Sequence, residues 1–262
     1  KSLKEVMITG GKAIYSNAFY KCHNLTHVTF GKDVETLEFF ALRGLKKLES
    51  VSFTEDCKIM KIGNSAFMEC TALVSIEIPD SVTKLGNNVF EGCSQLKSVT
   101  IGEGLTSVPS YAFKDCTELT KVELGNKVTK IEKGAFSNCH VLQEIKLYDS
   151  LTMIEQYAFE NCRCLKSITL PKGVTHILDG AFIGCESLES VVIPDSVIFL
   201  GMKPIATGLA TRIYYGSTAK QWSKVDFEWG FPTSFVLYYY SESEPTETGN
   251  FWHYVNGVPT AW

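Results

Sequence analysis

Apolar residues recur along most of this chain at a fixed interval of 23 residues. A unit of this size cannot bury an apolar face alone, but stacked units share one continuous core. The interval therefore predicts a repeat solenoid. The three most regular columns are Phe67, Phe90, Phe113, Phe136, Phe159 and Phe182; Cys70, Cys93, Cys116, Cys139, Cys162 and Cys185; and Leu73, Leu96, Leu119, Leu142, Leu165 and Leu188.

Each leucine leads into a stretch in which apolar and polar residues alternate, as in 73–78 and 96–101. This period is typical of a strand with one buried face, and copies stacked at about 4.8 Å should pair as a parallel sheet. The Ala-Phe-x-x-Cys segment has apolar residues three apart, which favours a helical turn. We predict a parallel β-sheet on one face, with short helical turns and extended pieces on the other.

The pattern weakens at both ends of the chain. A two-residue insertion near 57–59 lengthens one interval to 25 residues, and the phenylalanine and cysteine columns are lost after Cys185. Since the chain lacks an initiator Met and begins inside a repeat, we expect a processed or truncated piece. The solenoid is predicted for 1–213 and a small C-terminal cap for 214–262.

The predicted cap is rich in aromatic residues and contains all four tryptophans. A short helix capped by Ser217 or Thr218 and a strand at 235–240 are expected here. Asn256-Gly257 lies between two apolar segments and is a strong signal for a β-hairpin. A cap is physically expected, because an open solenoid end exposes core and strand edges.

The repeating unit Val-x-x-Ile-x-x-x-Ala-Phe-x-x-Cys-x-x-Leu-x-x-Ile-x-Ile-Pro resembles the BspA-like class of leucine-rich repeats over about residues 1–213. The tail, with Tyr-Tyr-Tyr-Ser at 238–241, is similar to the C-terminal ends of such proteins from gut and oral bacteria. The resemblance implies an exported or surface-displayed protein that attaches to host matrix or other microbes. It implies no catalytic residues.

Composition excludes several classes of partner. The formal net charge is -4 and the pI is about 5.8, so no broad positive field would attract nucleic acid. No apolar run approaches the roughly 18 residues that span a bilayer. We expect no nucleic-acid partner, no membrane-spanning segment and a monomer, while the resemblance implies an extracellular or cell-surface location.

Nine cysteines raise the question of metal or disulfide chemistry. Seven of them share one repeat position, where a zinc site would need convergent short pairs and where parallel Cβ vectors disfavour a disulfide. Leu45 and Gly208 fill the same position and cannot act as ligands. We therefore expect a column of small, reduced, buried residues and no metal, and only Cys57 and Cys164 lie off it.

The histidines form no ligand-spaced pair, and no nucleophile or phosphate-loop motif stands out. A non-catalytic protein without a cofactor is therefore expected. Its ligand would meet the exposed face of the sheet, unless that face is merely solvated. The candidate binding residues are His27, Glu77, Lys121, Glu123, Glu144, Lys146 and Tyr148. We expect the opposed charges at its centre to pair across neighbouring strands.

The aromatic tail offers an alternative function. Exposed aromatic rings stack on sugars, so the tail would be a carbohydrate- or cell-wall-binding module if its rings do more than cap the core. The candidate patch consists of Trp222, Trp229, Trp252 and Trp262. The favoured interpretation remains an adhesion scaffold that binds a protein ligand, and a glycan is the second possibility.

Overall fold

The computed structural model describes residues 3–206, 211–228, 235–246 and 248–262. The chain winds into successive coils, and most coils add one strand to a main sheet and one two-residue strand to a narrower ribbon. The predicted leucine-rich-repeat solenoid is confirmed. No helix in the described part of the chain is long and apolar enough to cross a membrane.

The strands are numbered in chain order. Those of the main sheet are β1 (Glu5–Ile8), β3 (His27–Phe30), β5 (Ser50–Phe53), β7 (Ser75–Ile78), β9 (Ser98–Ile101), β11 (Lys121–Glu123), β14 (Ser167–Thr169), β16 (Ser190–Ile193), β18 (Arg212–Tyr215), β20 (Val236–Tyr240), β21 (Phe251–Val255) and β22 (Val258–Ala261). Those of the ribbon are β2 (Ala13–Ile14), β4 (Thr36–Leu37), β6 (Lys61–Ile62), β8 (Lys84–Leu85), β10 (Ser107–Val108), β12 (Lys130–Ile131), β13 (Met153–Ile154), β15 (His176–Ile177), β17 (Phe199–Leu200) and β19 (Asp226–Phe227).

Pairing is parallel throughout, except between β21 and β22. Regular coils pair at the repeat interval, so that His27 lies opposite Ser50. At the two-residue insertion the pairing of β5 with β7 shrinks to Ser50 and Ser75. The insertion is therefore absorbed by one coil without changing the register of the coils that follow.

The core is a set of columns that run along the solenoid. The six phenylalanines from Phe67 to Phe182 are fully buried. Their rings stack with centroids 5.2–5.4 Å apart and are nearly parallel. This offset stacking is favourable for aromatic rings, so the phenylalanine column holds successive coils in register from inside.

The Ala-Phe-x-x-Cys segment is not helical, which corrects the sequence expectation. Ser65 and Glu69 have left-handed backbones, with φ of 54° and 60°. The Phe67 N–H donates to the Val89 carbonyl of the next coil (2.9 Å), while the Cys70 N–H closes a turn on the Phe67 carbonyl (3.1 Å). An α-helix keeps its hydrogen bonds internal, whereas alternating handedness frees every second N–H to join neighbouring coils.

The same two left-handed positions recur in eight coils, two residues before and two after the phenylalanine position. The pairs are Asn17 and Lys21, Phe40 and Gly44, Ser65 and Glu69, Asn88 and Gly92, Tyr111 and Asp115, Gly134 and Asn138, Tyr157 and Asn161, and Gly180 and Gly184. Glycine and asparagine tolerate this conformation best. Their frequency in these columns is the sequence signal that argues against a helix.

The C-terminal region continues the main sheet. Strands β18 and β20 pair in parallel with the coils before them, so the boundary predicted at residue 213 stays a prediction. The helix α1 (Ala219–Trp222) begins after Thr218, whose hydroxyl accepts the Gln221 N–H. The predicted hairpin is present, with left-handed Asn256 and Gly257 between β21 and β22.

Candidate ligand-binding surface

Strand alternation divides the main sheet into a buried face and a solvent face, which we call the outer sheet face. In β7 the side chains alternate between exposed and buried, as the pleat of a strand requires. The outer face over the first coils consists mainly of serine and threonine, and Thr29 and Ser52 hydrogen-bond across strands at 2.9 Å. Such a surface is hydrated and carries little chemistry of its own.

The main sheet is interrupted in one coil, between β11 and β14. Residues 144–147 do not form a strand, and their backbone pairs with the sheet only through an isolated bridge of Lys146 with Glu123. Ile145 and Leu147 are consequently half-buried, whereas Val122 and Leu124, their equivalents one coil earlier, are buried. The interruption opens the outer face at the centre of the solenoid.

The turn that follows this segment differs from the turns of the two preceding coils. Coils approach so closely there that a Cβ on Gly125 would lie 2.6 Å from the Gly102 carbonyl oxygen, and one on Gly102 would lie 2.6 Å from the Asp80 nitrogen. These contacts are closer than atoms allow, and the small residues leave room. Tyr148 occupies the equivalent position one coil later, directly after the interrupted segment.

A cleft of about 740 Å³ lies at the interruption, and we call it the central cleft. It brings together five of the predicted binding residues, namely Lys121, Glu123, Glu144, Lys146 and Tyr148. Its apolar part is lined by core residues of two coils, such as Val122 and Ile145. The cleft thus combines charges of both signs, one aromatic ring and an apolar floor.

Charges in the central cleft pair mainly within a strand. Lys121 Nζ lies 2.6 Å from Glu123 Oε1, because residues two apart share one face of a strand. This hydrogen bond lowers the pKa of Glu123 and raises the pKa of Lys121. Lys146 Nζ instead lies 4.9 Å from the centre of the Tyr148 ring. The expected pairing of charges across neighbouring strands is therefore limited to a longer-range attraction, of Lys121 with Glu144 and of Glu123 with Lys146.

Two of the predicted binding residues lie elsewhere. His27 Nδ1 is 2.8 Å from the hydroxyl of Thr26 and 3.9 Å from Glu5 Oε1, near the start of the chain. Glu77 lines a separate cleft of about 580 Å³. Asp80 lines both this cleft and the central cleft. Of these two residues, Glu77 is therefore the one that lies near the central cleft.

Three tryptophans of the alternative patch lie in the described part of the chain, and these three do not form one surface. Trp222 packs edge-on against Tyr215 and Phe227 at the main core. Trp252 is buried, and its Nε1–H donates to the Tyr215 carbonyl at 2.8 Å. Trp262 is exposed and stacks on His253, with ring centres 3.7 Å apart. Trp229 lies outside the described residues.

Tyrosines that the sequence analysis did not select surround Trp252 instead. Tyr214, Tyr240 and Tyr254 all lie within 5.4 Å of its ring, centre to centre, and Tyr238 stacks on Tyr214 at 5.2 Å. Strand register reveals this cluster, since Tyr214 and Tyr238 continue the outer column that contains Val192. We call these five residues the C-terminal aromatic cluster.

The repeat cysteines have a specific structural partner. Six of the seven thiols donate a hydrogen bond to a main-chain carbonyl of the preceding coil, as Cys116 Sγ does to Phe90 O at 3.2 Å. Burial raises the pKa of Cys70 and Cys185 to about 12. Cys22 differs, because it is only half-buried. Within the described residues, no three His, Cys, Asp or Glu side chains are grouped to hold a metal ion.

Comparison with known families and structures agrees with this architecture. A family model described as the BspA type leucine rich repeat region matches residues 12–123 and 89–206 with six copies. Among curated proteins, none matches this sequence significantly.

Several solved structures are similar to this chain. One is a leucine-rich repeat protein from Bacteroides ovatus, at 26% identity over 88% of this chain and 67% of that one, with a TM-score of 0.70. Another is the T. pallidum leucine rich repeat protein, at 28% identity over 62% and 71%, with a TM-score of 0.52. The pneumococcal vaccine antigen PcpA, at 18% identity over 91% and 80% and a TM-score of 0.50, shares the fold.

Proposed function

Since this chain belongs to the BspA-type leucine-rich repeat family, we propose that it is a non-catalytic scaffold that binds a partner protein through the central cleft. The observation that carries the proposal is the convergence of Lys121, Glu123, Glu144, Lys146 and Tyr148 where the main sheet is interrupted. The partner is a protein of the host matrix or of a microbial surface, and the chain works as a monomer outside the cell. The resemblance to surface-displayed relatives supports this location.

The chemistry of the cleft suits a protein surface. Opposed charges set the orientation and register of a partner more than they raise its affinity, and an aromatic ring beside them provides an anchor of the kind that dominates interfaces. The solvent-exposed pair of Lys121 and Glu123 contributes little to folding. Its residues are therefore free to exchange partners when a ligand arrives.

The proposal is tested with a panel of immobilised extracellular-matrix proteins and microbial surface proteins, and with the full chain in solution. Lys146→Glu reverses a charge in the cleft and removes the cation from Tyr148, so binding should weaken by about tenfold or more. Lys130→Glu is the matched control, because Lys130 is exposed on the ribbon strand β12, away from the cleft. Equal binding by both variants, or no binding to any protein of the panel, would contradict the proposal.

A further inference from the structure

Another pocket lies on the outer sheet face, where three residues of the C-terminal aromatic cluster form one wall. Its volume is about 250 Å³, and it is lined by Leu170, Lys172, Val192, Pro194, Asp195, Gly216, Tyr240, Trp252 and Tyr254. We propose that this tyrosine pocket binds one neutral pyranose ring of an oligosaccharide. The site goes beyond the protein-binding function proposed above and uses different residues.

The aromatic wall of the pocket is held rigidly. Tyr254 is 47% exposed, and its ring meets Trp252 edge-on at 4.9 Å and lies 6.4 Å from Tyr240. Trp252 is in turn fixed by its hydrogen bond to the Tyr215 carbonyl. A ligand that stacks on Tyr254 therefore does not have to order the wall first, which removes a large cost of binding.

Two charged side chains line the same pocket as this wall. Lys172 and Asp195 are exposed, and neither side chain takes part in a hydrogen bond or ion pair within the described residues. The ammonium donates hydrogen bonds and the carboxylate accepts them. Hydroxyl groups do both, so vicinal sugar hydroxyls satisfy this pair, while the C–H groups of the sugar ring lie on the negative face of the aromatic ring.

Other ligand classes fit the pocket less well. An anion drawn by Lys172 would be repelled by Asp195, and a purely apolar ligand would strip water from both charges without replacing it. A peptide binding by strand addition needs a free strand edge, but β16, β18, β20 and β21 are paired in sequence. The volume is below the roughly 300–1,000 Å³ of drug-sized sites, which suits one sugar ring.

The experiment applies the full chain to an array of neutral and anionic oligosaccharides and then titrates the best-retained trisaccharide by calorimetry. Wild type should retain neutral glycans. Tyr254→Ala should weaken the interaction by about tenfold, and Asp195→Ala should weaken it similarly, whereas Tyr254→Phe keeps the ring and should bind nearly as well. Trp262→Ala is the matched control, because it removes an exposed aromatic ring outside the pocket.

Retention of no glycan, retention of anionic glycans alone, or equal binding by wild type and Tyr254→Ala would overturn the proposal. Loss of binding in Trp262→Ala with binding kept in Tyr254→Ala would also overturn it, by placing the site elsewhere on the hairpin. Lys146→Glu should leave glycan binding unchanged. Failure of this site and failure of the protein-binding cleft are therefore distinguishable.

Discussion

Replacement of Phe113 by alanine tests whether the phenylalanine column holds the solenoid together. Phe113 is fully buried, and its ring stacks on Phe90 at 5.3 Å and on Phe136 at 5.4 Å. Truncating a buried phenylalanine costs about 3–5 kcal/mol of unfolding free energy. Because both ring contacts are lost together, the Phe113→Ala variant should fall toward the upper end of this range.

Phe67, at the end of the phenylalanine column, can be compared with Phe113 in its middle. Phe67 is equally buried but has one ring contact, with Phe90 at 5.3 Å, since Leu42 stands at the equivalent position of the preceding coil. Each stacked pair adds about 0.5–1.5 kcal/mol beyond burial. Phe67→Ala should therefore lose less unfolding free energy than Phe113→Ala, by roughly the value of one pair.

The assay is urea unfolding followed by circular dichroism, with the m-value checked for each variant. Lys121→Ala is the control for a solvent-exposed position and should leave the unfolding free energy nearly unchanged. Equal losses in Phe113→Ala and Lys121→Ala would refute the assignment of the two faces. A larger loss in Phe67→Ala than in Phe113→Ala would refute the contribution of continuous stacking.

Three further predictions concern the left-handed turn positions beside the phenylalanine column and the repeat cysteines. Gly134→Ala should lower the melting temperature more than Gly92→Ala, because both backbones are left-handed but only at Gly134 would the added Cβ lie 2.5 Å from the Tyr111 ring; a second substitution, Tyr111→Ala, should remove the difference. In native alkylation followed by mass spectrometry, Cys57 should label before the six fully buried repeat cysteines, and rapid labelling of these six would contradict their burial. A thiol whose pKa is raised on folding stabilises the protein below its unfolded pKa of 9.0 and loses that contribution as the pH rises toward about 12. In chemical unfolding at a series of pH values, the fall in unfolding free energy above pH 9 should thus be shallower in Cys70→Ala than in wild type, by about 1.4 kcal/mol per pH unit, and parallel curves would argue against a raised pKa.

Much of the fold could be predicted because the apolar columns are strict. The interval fixes which residues face inward, and the buried residues follow it closely. The prediction of a helical turn at the Ala-Phe-x-x-Cys segment was wrong for a local reason. Apolar residues three apart fit a helix and a run of turns equally well, and only the left-handed positions, marked by residues such as Gly92 and Asn138, separate the two.

The site was partly predictable. Charged residues were identified by their place on the outer columns, but the interruption of the sheet that gathers them has no signal in the repeat pattern, since residues 144–147 keep the alternation of polar and apolar residues seen in the other strands. The sequence analysis grouped the four tryptophans of the tail as one candidate patch, whereas Trp222, Trp252 and Trp262 each pack against different neighbours. In a hairpin that turns at Asn256-Gly257, Trp252 pairs with Ala261, so Trp262 faces the other side of the hairpin.

These differences follow one physical rule. Inside the solenoid every coil must present the same shape to its neighbours, so the inward columns vary little along the chain. Outward side chains have no such constraint, and the features with distinct chemistry are the places where the outer face departs from serine and threonine. One departure is the charged central cleft beside Tyr148, and the other is the tyrosine pocket beside Tyr254. Because the coils are stacked in order, substitutions at one site leave the packing of the other intact, and each can be tested separately in the same protein.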